Sequence, residues 1–171
     1  MVLSKSELIA SLQNEVRILL HLAHKIDRST LDYRPTPKQR TTLELLRYMS
    51  MMGPMMIKYG LAKGGEFDRD AWTVEAKAAE ARDFDQTLAT IAAHPEEYAK
   101  LFAEVTDDKF RSEMTEFDGN KMTRGNYLVN SVLAGCTAYR VQLFLYLKAC
   151  GQEELGTSNL WGGVDAPASI G

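Results

Sequence analysis

The residues from Thr123 to Gly151, TRGNYLVNSVLAGCTAYRVQLFLYLKACG, form the longest uninterrupted helical pattern in the sequence and the most apolar. Place Tyr139 at the origin of a helical wheel turning about 100° per residue. Leu128, Val132, Gly135, Cys136, Leu143, Tyr146 and Cys150 then fall within roughly 60° of it. That stripe predicts a core-facing helix capped by Thr123. Val141, Phe144 and Leu145 occupy the opposite side, so the C-terminal half is apolar almost all round. Such a helix is buried on several sides or forms part of a subunit interface.

Three further helical patterns supply partners for it. Ser4 and Glu7 have capping-box spacing, and Ile9, Leu12, Val16, Leu19, Leu20, Ala23 and Ile26 come after them at three- and four-residue steps. His21 falls on the solvent side of this helix and His24 on its flank. Prolines at 35 and 37 hold a connector extended. Thr41 and Glu44 then repeat the capping-box spacing and open a second helix to about Lys63, with a core face of Leu45, Tyr48, Met49, Met52, Met55, Met56 and Tyr59. The methionines gathered around Gly53-Pro54 read either as adaptable packing or as a soft wall around an apolar ligand. Pro54 removes the hydrogen bond that Ser50 would otherwise accept.

Gly64-Gly65 ends that helix, and residues 66–72 read as a linker. Val74, Ala78, Ala81, Phe84, Leu88, Ile91 and Ala92 define the buried stripe of a third helix, interrupted at His94-Pro95. Residues 107–122 read as irregular, with a small hairpin closed at Asp118-Gly119-Asn120. The tail after Gly151 is expected to be pinned by Leu160-Trp161, with its last residues loose. The expected fold is all-α: residues 1–171 as a single four-helix-bundle domain with long crossover connections and the tail packed on it.

Composition narrows the partners. A net charge of −3 supplies no electrostatic reason to expect nucleic acid or an anionic membrane, and no uninterrupted apolar run has the length of a membrane span. The amphipathic N-terminus does not read as a signal peptide, so a cytoplasmic location is expected. Cys136 and Cys150 lie about 21 Å apart if they share one helix, too far for a disulfide.

Two segments, TLDYRPTPKQRTTLELLRYMS and LAGCTAYRVQLFLYLKACG, resemble the DinB-like superfamily of four-helix bundles. The resemblance extends over most of the chain, to the tail NLWGGVD. It implies a divalent metal, often zinc or nickel, held by a histidine ending a Leu-Leu-x-His segment of the second helix and by an HxxxH pair in the last. Here Tyr48 stands at the first position, Gly135 at the second and Tyr139 at the third, before Arg140-Val141-Gln142. Glycine offers no donor, and a neutral phenol is a poor ligand. The expectation is therefore no catalytic residue, no metal and no cofactor. The former site, at Tyr48, Met52, Gly135 and Tyr139, is expected either to be filled by side chains or to hold a small, largely apolar ligand. Gly135 serves there as a close helix contact or as room for that ligand. Three functions remain open: a non-catalytic homodimeric or ligand-binding protein, a thiol-transferase-like metal enzyme with displaced ligands (His24 the nearby spare), and a protein–protein interaction module.

Overall fold

The computed structural model describes residues 3–62 and 66–167. The expected helix end at Lys63, the Gly64-Gly65 break and the loose tail end lie outside these. The main helices are α1 (Lys5–Ala23), α2 (Thr42–Leu61), α3 (Arg69–Ala81), α4 (Phe84–Phe102), a short α5 (Asp107–Arg111) and the final α6 (Arg124–Ala149). Their starts obey local rules. Ser4 and Thr41 form the expected capping boxes, and Thr123 accepts from the Asn126 N–H. Before α6 lies the expected hairpin, β1 (Glu113–Thr115) paired antiparallel with β2 (Lys121–Thr123), its turn made at Gly119 with φ 85°.

Both α1 and α2 pack against both α4 and α6, so they face each other across a diagonal of the bundle. Lys5 reaches the Phe102 carbonyl and Gln13 the Pro95 carbonyl, which makes α1 and α4 antiparallel. Arg47 reaches Arg82 and Lys58 reaches Glu97, which makes α2 and α4 parallel. Gly60 meets the Tyr127 ring while the Arg40 carbonyl accepts from Tyr146, so α6 runs against α2. The order is up–down–down–up. Two successive parallel helices need a return path, and α3 provides it by lying along α2.

The third helical pattern breaks elsewhere than its sequence suggests. Asp83 forms a capping box with Gln86, so α3 ends at Ala81 and α4 starts at Phe84 and runs through Pro95. Arg69 also begins α3 inside the expected linker. Val74 is 69% exposed, and Ala78 and Ala81 face solvent, because α3 only returns the chain along the outside of α2.

The helix α6 has the expected buried line of Leu128, Val132, Cys136, Leu143 and Tyr146, with Leu147 and Arg140 added. Between Leu128 and Leu133 it is wound as a π-helix, which rotates the turns after it relative to a uniform wheel. By length and composition α6 is apolar enough to cross a membrane, its most apolar 18-residue stretch having a mean hydropathy of 1.2, although no single run in the sequence suggests a span. In the fold its inner face is core, and Arg140, 1% exposed, pairs with Glu15 of α1.

The tail is held mainly by polar contacts. Arg17 donates to the carbonyls of Gly162 and Gly163, Arg140 to that of Leu160, and Asn159 bonds to His21 and Asp165. Trp161 is 61% exposed, so it is not the apolar pin its chemistry suggests; buried Leu155 and Asn159 take that place. His21, read as a solvent-facing residue, is covered by this tail, and burial lowers its pKa despite the nearby Asp165. His24 is exposed at the C-terminal cap of α1.

Candidate functional site

Tyr48, Met52, Gly135 and Tyr139 come together between α2 and α6. The Tyr48 and Tyr139 rings meet edge to face, 5.1 Å between centroids. Met52 is buried, and a Cβ built on Gly135 would sit 3.8 Å from its Cε. That is ordinary van der Waals contact, so Gly135 is not needed for a close helix approach. Burial, and then the Tyr139 phenol beside it, push the Tyr48 pKa up to about 12. The Arg40 guanidinium lies 4.0 Å over the Tyr48 ring, and Trp72 of α3 meets the same ring edge-on at 6.4 Å.

As a donor set these four groups do not suit a divalent metal. They offer two phenols, one of them with a raised pKa, a thioether and no side chain at Gly135. Among the described residues no three histidine, cysteine, aspartate or glutamate side chains converge to hold an ion. The interior void beside Met52, bounded also by Glu15, His94, Tyr98 and Cys136, has a volume of about 10 Å³. That is room for one water at most. Burial pushes the Cys136 thiol up to about 12, which leaves it protonated and a poor nucleophile.

His94 is the residue whose place the sequence conceals most. It is 2% exposed inside a continuous α4, not at a helix boundary. Its Nε2–H donates to the Ser50 carbonyl at 3.0 Å, the acceptor that Pro54, four residues on, leaves without its helical partner. The Nδ1 atom then faces the Tyr98 hydroxyl at 3.4 Å. Tyr98 in turn packs on Gly53, where an added Cβ would stand 2.2 Å from its hydroxyl oxygen. The Gly53-Pro54 pair is thus explained: glycine admits Tyr98, and histidine replaces the proline's missing N–H.

Space for a ligand lies on the other side of Tyr48. Between α2 and α3 an open cleft of about 470 Å³ is lined by Arg40, Glu44, Arg47, Tyr48, Met51, Trp72, Ala76, Ala79 and Glu80. Gln142 acts at a distance from it. Its amide donates to the Tyr146 hydroxyl, which donates to the Arg40 carbonyl and fixes the entrance to α2. Sequence reasoning misses Arg40 and Trp72 as site residues, because only the path of α3 along α2 brings them to Tyr48.

Four bundle helices in the order up–down–down–up, with a return helix after the second and a hairpin before the last, define the DinB-like fold. A DinB-like protein from Bacillus subtilis, YjoA, superposes with a TM-score of 0.62 at 18% identity, covering 87% of this chain and 94% of that one. A point mutant of the mycothiol-dependent maleylpyruvate isomerase superposes with a TM-score of 0.57 at 9% identity, covering 83% of this chain and 60% of that enzyme. No protein-family model and no curated protein matches the sequence.

Proposed function

We propose that this chain is a non-catalytic, metal-free form of the DinB-like fold that binds a small ligand. The observation that carries the reading is the convergence of Tyr48, Gly135 and Tyr139. These are the three positions at which the resemblance implies histidines, and they share one contact cluster although they are up to 91 residues apart. The cluster keeps the place of a metal site and lacks its donors.

The test is reconstruction. The variant Tyr48→His/Gly135→His/Tyr139→His is expected to bind one zinc or nickel ion per chain, while the unaltered protein, purified without chelator, contains far less than one. Stoichiometric metal in the unaltered protein, lost in His24→Ala, would overturn the proposal in favour of displaced ligands.

A homodimer is a second reading, favoured by the outer face of α6, where Leu145 is 58% exposed beside Val141 and Phe144. A dimer in sedimentation that becomes monomeric in Leu145→Asp is the expected result. A protein monomeric at all concentrations sinks it.

A further inference from the structure

We infer that the cleft between α2 and α3 binds a small aromatic monocarboxylate, its ring against Tyr48 and Trp72 and its carboxylate on Arg40 and Arg47. The inference rests on the ligand-binding reading above and names the ligand class. It begins from two guanidinium groups on one wall of the cleft. Among the described residues neither Arg40 nor Arg47 has a carboxylate within 4.0 Å. Arg47 is nonetheless fixed, because its Nε donates to the Arg82 carbonyl at 2.7 Å and leaves the two terminal nitrogens free to bind in parallel. Arg40 is fixed through its own backbone by Tyr146 and Gln142, and its guanidinium carbon lies 4.0 Å from the centre of the Tyr48 ring. A planar fork held in this way suits a carboxylate, which accepts two parallel hydrogen bonds.

The rest of the cleft suits a flat apolar body. Trp72 is held by contacts with the rings of Tyr48 and of Phe67, the latter 5.4 Å away. Met51, Ala76 and Ala79 supply small apolar wall between the aromatic and cationic groups. Two acids also line the space. Glu44 is engaged by the Thr41 N–H at 2.7 Å and by Arg34 at 3.4 Å, which lowers its pKa and leaves it anionic. Glu80 has no such partner among the described residues. With these two charges close by, a single carboxylate is accommodated and a polyanion such as a nucleotide triphosphate is repelled.

Benzoate and indole-3-carboxylate are the probes, titrated calorimetrically into the full chain after its metal content has been measured. Both are expected to bind, whereas neutral benzamide and non-aromatic cyclohexanecarboxylate bind about tenfold more weakly or not at all. Arg40→Gln is expected to weaken benzoate by about tenfold at unchanged melting temperature, since Arg40 is exposed. Trp72→Leu is expected to weaken indole-3-carboxylate and abolish its preference over cyclohexanecarboxylate. Binding of benzamide as tight as benzoate, an unchanged Arg40→Gln, or no heat with either probe up to about 10 mM would overturn the inference. The metal measurement keeps the two proposals separate. Metal in the unaltered protein counts against the metal-free reading alone, and a metal-free protein that ignores benzoate counts against the cleft alone.

Discussion

Replacing Arg140 with methionine is expected to destabilise the fold by about 3–5 kcal/mol, measured by urea unfolding. The guanidinium grips Glu15 through two nitrogens, Nε at 2.7 Å and Nη2 at 3.2 Å, in a site where Arg140 is 1% and Glu15 13% exposed. Removing the arginine alone strands a carboxylate in the core, and that stranded charge accounts for most of the loss. The double variant Glu15→Leu/Arg140→Met should therefore recover most of the stability, because neither charge is left behind. Equal losses in the single and double variants would show that packing, not the ion pair, sets the cost. The double variant still lacks the bond from Arg140 to the Leu160 carbonyl and the guanidinium 5.5 Å from the Trp161 ring. Cleavage in the tail under limited proteolysis should therefore accelerate in both.

His94→Leu is expected to cost about 2–4 kcal/mol, since it leaves the Ser50 carbonyl and the Tyr98 hydroxyl without partners in the core. The informative measurement is the suppressor. Pro54→Ala restores a backbone N–H four residues after Ser50, so in the His94→Leu background it should return about 1–2 kcal/mol. In the unaltered protein the Ser50 carbonyl already has its donor, and the same change should gain much less. A gain of equal size in both backgrounds would sink the pairing of His94 with the proline.

The same residue predicts a pH dependence. Burial lowers the pKa of His94 below its ordinary 6.5. As pH falls below about 6.5 the unfolded chain takes up the proton first, and stability declines through the folded value. Above about 6.5 the contribution is fully present. His94→Leu should flatten this acid limb; a residual slope is expected from His21, whose pKa is also lowered.

Legibility in the sequence tracks the range of the forces involved. Ser4, Thr41 and Thr123 mark helix starts through bonds spanning three residues, and Gly119 marks its turn through its own backbone. Each is therefore legible. The Arg140–Glu15 pair spans 125 positions and the His94–Ser50 bond 44, and no periodicity connects them. A partial signal exists for both. An arginine on an almost wholly apolar helix needs a counter-charge, and Pro54 creates an acceptor whose donor must come from elsewhere. The break at Arg82-Asp83 is within reach too, since Asp83 and Gln86 have capping-box spacing; Pro95 draws attention away from it. At the candidate site, the resemblance brings Tyr48, Gly135 and Tyr139 to one locus. It does not place Trp72, whose position depends on how α3 crosses the outside of α2.

The diagonal placement of α1 and α2 bears on how the chain is made. In an up-and-down bundle the first two helices close on each other as soon as both have been synthesised. Here neither finds its neighbour in the other. The side-chain amine of Lys5 waits for a carbonyl 97 residues later, at Phe102. A nascent chain that has just completed α2 thus carries two apolar faces with nothing to cover them, and burial begins only when α4 emerges. Folding has to close long loops before it gains contacts, so it should be slower than its helical content suggests, with the first half of the chain the part most in need of a chaperone.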